Sequence, residues 1–466
     1  MSYRPAGLAI LLALGAARLP AQQASLPPDM QAGIDSAVRA VLNRTGTPSA
    51  SIAVVRDGRV AYVQAYGSAR LTPETPAAVG MRYSIGSVSK QFTSSAVLLL
   101  AEDGRLSLDD KVGKWLPELT RANEVSLRQI LSMTSGYQDY WPQDYVMPGM
   151  LKPTTAREIL AQWAQKPLDF EPGTKWQYSN TNYVIAGLIV EKVSGMPLLD
   201  FLRRRIFVPL AMQSVADIDA AALGGSDPAG YMRFALGPPR LAPKEAPGWL
   251  FAAGELAMTA ADLARWDISM LDQAVLKPAS YRAMQTDMQL RNGLGTGYGL
   301  GVSVGMAGGH RLIAHGGEVS GFTARNAVYP DDRAAVVVFT NLDATGASGQ
   351  IAGRIATLLF SATDPDTRKA TEQAREIFAG LQQGRVDRGL FSPNANAYFS
   401  PQALADFAAS LGPLGAAQEF VQVNQGLRGG MVSRSFRIRA GQRTLSLTTF
   451  TLPDGKLEQF QIASAD

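Results

Sequence analysis

The spacing of apolar residues changes several times along the chain, and each change marks an element. Residues 34–42 place apolar side chains at a helical period, with Asp35 near the start. Residues 51–55 (SIAVV) and 60–66 (VAYVQAY) are β-rich runs, and Asp57-Gly58 between them marks a tight hairpin. After a loop with Pro73 and Pro76, a long helix is predicted over 87–100, with Phe92, Ala96, Val97 and Leu99 on apolar positions. From about 106 to 276 the pattern is mostly helical, with segments at 127–132, 156–165, 183–193, 198–207 and 260–271. Thr259 is a candidate N-cap, and Asp262 three residues on makes a weak variant of a capping box. Short β-rich runs return at 299–304, 310–314, 324–330 and 334–340, split by Gly, Asp or Asn turns, and a helix closes the region at 351–359.

Strands at both ends of a helical middle predict an α+β fold. The expected architecture is an antiparallel sheet built from N- and C-terminal segments, flanked by helices, with an inserted all-helical subdomain. The regular βαβ alternation of a doubly wound fold is missing. A polar stretch at 361–366 (SATDPD) then opens a segment of about 100 residues, a normal domain size. It reads as a helix at 371–383, helical pieces at 391–398 and 401–411, and strands at 418–423, 431–439, 444–452 and 457–462. Pro453-Asp454-Gly455 is a turn, and Phe436 and Ile438 alternate with Arg437 and Arg439 as in a half-solvated strand. The expected domains are therefore 22–362 and 367–466, the second a small helix-and-curved-sheet module.

Composition narrows the class of protein. With 46% hydrophobic and 18% charged residues, the 466-residue chain has ample core for two or three globular domains. The first 21 residues read differently. Arg4 precedes an apolar run at 6–17, which has signal-peptide length and is too short to span a bilayer. Cleavage is expected after Ala17 or Ala21, with export to the periplasm or the medium. No later stretch is long and apolar enough for a membrane span. Without Arg4 and Arg18 the 44 basic residues fall to 42 against 40 acidic, a balance that gives no footprint for nucleic acid. The absence of cysteine excludes disulfides, thiol catalysis and a lipid anchor on a cysteine. Two histidines, His310 and His315, and no HExxH pattern argue against a histidine metal site.

Three short motifs carry candidate chemistry. Ser87-Val88-Ser89-Lys90 puts a hydroxyl and an amine one helical turn apart, on one face. Such a lysine can take the serine proton only if burial or a nearby cation lowers its pKa. Tyr178-Ser179-Asn180 offers a phenol that could relay a proton and an amide that could bond both a lysine and a substrate. His315-Gly316-Gly317 follows a predicted strand, and its glycines would let a substrate backbone approach the strand edge. His315 could supply a hydrogen bond or a positive charge. No Gly-x-Ser-x-Gly elbow is present, which disfavours a Ser-His-Asp triad.

In this order the motifs resemble the serine β-lactamase family, in its branch of class C β-lactamases, D-alanyl-D-alanine carboxypeptidases and related esterases. The resemblance covers residues 48–360. Supporting stretches are 83–92 (YSIGSVSKQF), Thr134-Ser135-Gly136, Phe170-Glu171-Pro172-Gly173 and Ala253-Gly254 ahead of 259–263 (TAADL). It implies Ser87 as nucleophile, Lys90 and Tyr178 as proton relay with a phenolate-like Tyr178 as the final base, and Asn180, His315, Gly316 and Gly317 around the substrate. It also implies an oxyanion hole from the backbone N–H groups of Ser87 and Glu318, with no metal or organic cofactor.

The sequence departs from that family at two positions. Met133 stands where many relatives have His, a position expected to be structural. His315 replaces the β-lactamases' Lys, which removes a permanent cation from beside the substrate carboxylate. That shifts the expected substrate from β-lactams toward peptides ending in D-amino acids or carboxylic esters. A β-lactamase and a non-catalytic penicillin-binding sensor are the alternatives.

Four aromatics, Tyr137, Tyr140, Trp141 and Tyr145, either line the cleft or pack their loop onto the helices. Trp176 is expected in the core. The last domain resembles NTF2-like or cystatin-like modules, with an accessory or homo-oligomerising role expected. Its Asn394, Asn396, Arg428 and Arg434 are expected to be solvated or to hold turns rather than to form a pocket. The expected partner is a small-molecule or peptide acyl substrate.

Overall fold

The computed structural model describes residues 25–361 and 365–465; the expected signal, 1–21, lies outside them. Strand β1 (Ser49–Arg56) is a run of small and branched apolar residues, buried on both faces. Asp57 and Gly58, both at positive φ, turn it into β2 (Arg59–Leu71), as their type predicts. On its other side β1 pairs with a late strand, from Ala50 opposite Thr340 to Val55 opposite Ala335. The two ends of the family-like region thus close one antiparallel sheet. With β3 (Glu74–Pro76), β4 (Ser303–Ala307), β5 (His310–Val319), β6 (Phe322–Tyr329) and β7 (Ala334–Thr340), the order is β3-β2-β1-β7-β6-β5-β4.

Five helices position the site: α1 (Pro28–Thr45), α2 (Lys90–Glu102), α3 (Asn180–Ser194), α4 (Ala260–Asp272) and α5 (Ala347–Ser361). The two-residue period of the strands divides the core. Ile52, Val54, Val336 and Val338 meet Ile34 and Val38 of α1 and Ile351 and Ile355 of α5. Ala53, Val55, Val337 and Phe339 face the other way, into a larger core with Phe92, Ile185 and Trp266.

The insertion is helical, but it is not made of helices alone. Tyr83–Ser84, Leu256–Met258 and Ala216–Asp217 form a small sheet, and Tyr231–Met232 pairs with Arg240–Leu241. Strands of two or three residues are too short to register as a period. The segments expected at 156–165 and 198–207 each begin as α-helix and finish in a π turn, at Leu160–Ala164 and Arg203–Phe207. Thr259 caps α4 by accepting from Asp262 N at 3.2 Å. The Asp262 carboxylate instead accepts from Ser214, so no reciprocal box forms.

Beyond residue 364, a helix from Pro365 to Leu381 precedes four strands, Ala417–Arg428, Met431–Ala440, Arg443–Thr451 and Leu457–Ser464, paired in chain order. Phe436 and Ile438 are buried beside Phe378, Leu447 and Phe460, while Arg437 and Arg439 are exposed. The four polar residues hold separate local contacts. Asn394 donates to Glu458, Asn396 donates to the Arg388 and Phe391 carbonyls, Arg428 lies over the Phe450 ring, and Arg434 donates to Thr451. Among the described residues, no helix is long and apolar enough to cross a membrane.

Candidate active site

Ser87 does not open α2. It sits in a 3-10 turn, Gly86–Ser89, and the α-helix begins at Lys90. Two glycines fix where this turn lies. Gly86 is at φ 49°, and a Cβ there would fall 2.8 Å from Glu318 N. A Cβ on Gly317 would fall 1.9 Å from the Ile85 carbonyl oxygen. Only glycine at both positions lets the Ser87 turn nest against β5. Strand β4 pairs only with His310–Ala314, so residues 315–319 have β6 on one side and an unpaired edge on the other. The sequence ended this strand at 314, because Gly316 and Gly317 have low strand propensity. It runs on to Val319 because β6 pairs with it throughout.

The three motifs meet at one cleft of about 1170 Å³. The fully buried Lys90 donates from Nζ to Ser87 Oγ, to Asn180 Oδ1 and to the Ala253 carbonyl, each at 2.8 Å. Burial lowers its pKa to about 7, against an opposing pull from the Asp139 charge. Tyr178 lines the cleft with Ser87, and its ring faces Lys90 Nζ at 5.0 Å. Burial holds the Tyr178 phenol well above its ordinary value, so it keeps its proton. Burial thus disfavours a resting phenolate, and it favours the neutral form of Lys90, the form that can act as base.

Of the two roles open to His315, a hydrogen bond or a positive charge, its surroundings favour the first. Burial, and then the neighbouring Lys90 charge, lower its pKa to about 3, so the ring is neutral. Its Nδ1 lies 2.5 Å from the Gly316 carbonyl oxygen and must carry the proton. Nε2 then accepts from the Tyr298 hydroxyl at 2.9 Å. His315 supplies no positive charge. Glu318 turns its side chain away from Ser87 and accepts from Ala344 N at 2.8 Å.

Several neighbours carried no sequence signal. Asp139 accepts from Asn180 N at 2.9 Å, from Asn180 Nδ2 at 3.3 Å and from Trp141 N at 3.2 Å. These bonds fix the Asn180 amide with its oxygen toward Lys90. Asp139 and Tyr298 belong to no motif, and only the hydrogen-bonding needs of Asn180 and His315 point to them. Met133 has the structural role expected, its sulfur accepting from Ser179 N and Asn182 Nδ2. The aromatic cluster divides: Tyr140, Trp141 and Tyr145 line the cleft, while Tyr137 is buried and donates to the Thr120 carbonyl. Trp176 is not core; it lies at the surface, 39% exposed, with Tyr178 and Tyr298 beside it. No group of acidic and histidine side chains suited to a metal ion occurs among the described residues.

An antiparallel sheet with a helical insertion, and Ser-x-x-Lys, Tyr-x-Asn and a strand-edge triplet converging on one cleft, define a penicillin-recognising type of fold. A family model described as Beta-lactamase matches residues 34–359, and the chain belongs to that family. A D-aminopeptidase from Brucella anthropi is 28% identical over 72% of this chain, a match that spans 64% of the relative's length. A D-stereospecific amidohydrolase from Streptomyces sp. superposes with a TM-score of 0.61 at 28% identity, covering 69% of this chain and 96% of that one. An octameric penicillin-binding protein homologue from Pyrococcus abyssi, 21% identical, shares the fold over 93% of this chain and 99% of its own, with a TM-score of 0.63.

Proposed function

We propose that this protein is a serine hydrolase that cleaves amide or ester bonds of small D-amino-acid-type substrates through an acyl-enzyme on Ser87. The observation that carries the reading is the 2.8 Å contact between Ser87 Oγ and Lys90 Nζ, with that lysine buried and held near neutrality. Neutral Lys90 takes the Ser87 proton as Oγ attacks the acyl carbonyl. The backbone N–H groups of Ser87 and Glu318 receive the oxyanion, each such donor being worth roughly 10²–10³ in rate. Tyr178, a neutral phenol beside Oγ, hands a proton to the departing amine or alcohol and regains it by way of Lys90. Water then attacks the ester on Ser87 and releases the acid. The D-series assignment draws on the D-specific names of the relatives. The aromatic wall of Trp141 and Tyr145 suits an apolar acyl half.

A fluorophosphonate probe should add to the Ser87 peptide of the wild type and to nothing in Ser87→Ala. Labelling at any other residue in that variant would sink the assignment. Rates on matched D- and L-alanine p-nitroanilides, p-nitrophenyl butyrate and nitrocefin then rank the substrate classes, with the D-anilide expected to exceed the L-anilide. Export is part of the proposal: the mature N-terminus, sequenced from secreted protein, should begin at residue 18 or 22. We also propose that residues 367–466 are an accessory module through which copies associate.

A further inference from the structure

One polar pair inside the hydrolase-like region takes no part in the chemistry of the cleft. Asp267 lies on α4 and Asn326 on β6, amid the core that holds Trp266, Ala324 and Val328, and both are fully buried. Asn326 Nδ2 donates to Asp267 Oδ1 at 2.8 Å. The other arm of each group, Asp267 Oδ2 and Asn326 Oδ1, is buried without a hydrogen-bond partner among the described residues. As a carboxylate and an amide, the pair leaves two acceptors with nothing to accept, and an ionised carboxyl without a cation is costly in such a place. A single proton on Oδ2 changes the count. The carboxyl then has an O–H to donate, and Asn326 Oδ1 is an acceptor in need of one.

The surroundings offer no opposite charge. Burial raises the Asp267 pKa to about 8, opposed only by the Asn326 hydrogen bond. Across the sheet Asn326 stands between Val337 of β7 and His315 of β5, and that histidine is neutral. Arg325 and Tyr329 fall on the opposite face of β6, and β7 carries no titratable side chain. On β1 and β2, Arg56 pairs with Asp57, Arg59 is exposed, Arg70 donates to the Gly224, Gly225 and Asp227 carbonyls, and Tyr62 and Tyr66 donate to Asp35. On α4 itself, Asp262 is held by Ser214 and Arg265, and Asp272 pairs with Arg333. Lys90 of α2 is committed to Ser87, Asn180 and Ala253, and the Tyr281 hydroxyl donates to the Ser269 carbonyl.

We infer that Asp267 is a neutral carboxylic acid in the native protein and closes a two-bond clasp with Asn326, so that the tie between α4 and β6 depends on a proton. The clasp makes stability fall as pH rises. In the unfolded chain this carboxyl loses its proton near its ordinary value of 3.8, and in the native protein only near 8. Between those values only the native state holds the proton. Each pH unit gained there raises the unfolding constant about tenfold. Asp267→Asn replaces the acid O–H by an amide N–H, keeps a donor facing Asn326 Oδ1, and has no proton to lose.

The test compares urea unfolding of the full-length wild type and Asp267→Asn at pH 5, 6 and 7. Every other titrating group is common to both, so the ratio of their unfolding constants isolates Asp267. That ratio, wild type over variant, should grow about 100-fold from pH 5 to pH 7. Growth of tenfold or more supports the clasp. Smaller growth, a constant ratio or a falling one would mean that native Asp267 is already ionised, held by water or by another group, and overturns the inference. Should Asp267→Asn fail to fold, the double variant Asp267→Leu/Asn326→Val, which removes both polar groups at once, serves as the reference in the same comparison and is judged by the same threshold. The result is independent of Ser87: fluorophosphonate labelling can fail with the clasp intact, and the clasp can fail with labelling intact.

Discussion

At the scale of single residues, the site depends on a lysine kept close to neutrality. Burial disfavours the charged form of Lys90 and lowers its pKa to about 7. The neutral amine is the form that accepts the Ser87 proton, so acylation should rise with pH and level off above an inflection near 7. A pre-steady-state pH profile checks this; a rate that falls across pH 6 to 8 would contradict it. Asp139 opposes the shift, because its charge favours protonated Lys90. Asp139→Asn should therefore move the inflection to lower pH. It should also slow acylation by about 10- to 100-fold as the Asn180 amide loses a charged acceptor. A lower rate with an unmoved inflection would leave Asp139 with packing alone. Ser87, Lys90 and Tyr178 were legible in the sequence because each sits in a short motif of fixed spacing. Asp139 and Tyr298 were not, because what brings each to the cleft is a fold contact rather than a spacing along the chain.

At the scale of elements, two close approaches hold the Ser87 turn against β5. Ala at Gly317 would drive a Cβ to 1.9 Å from the Ile85 carbonyl, a backbone atom that cannot rotate away. Gly317→Ala should lower stability by about 1–3 kcal/mol and reduce fluorophosphonate labelling of Ser87. Gly316→Ala meets nothing closer than 3.9 Å and should leave the melting temperature nearly unchanged. Equal melting temperatures for both variants would show that the turn can shift away from the strand. The hydrophobic pattern located α2 and β5 but misjudged where each becomes functional. It opened the helix at Ser87, where the chain makes a 3-10 turn, and ended the strand before the glycines that form its free edge. Both errors fall where glycine sacrifices local propensity for a backbone approach that only the folded sheet defines.

At the scale of the whole molecule, the chain has two cores that share no residue with a third. The first two lie on either side of the seven-stranded sheet, in the region that holds the cleft. The third, built around Phe378, Phe436 and Phe460, belongs wholly to the segment beyond residue 364. Hydrophobic stabilisation follows buried apolar area, so removing the third core takes little from the first two. Deleting residues 366–466 should leave Ser87 labelling within about twofold of the full chain, since surface-distant changes couple weakly to a site. The deleted segment also carries an edge strand, Ala417–Arg428, with Val423 and Leu427 exposed at 50% and 82%. An edge of that length with apolar side chains is a template for pairing with another chain. If copies associate through this segment, light scattering should give the full chain the mass of several copies and the shortened chain that of one. The same number of copies before and after deletion would place any association on the hydrolase-like region instead.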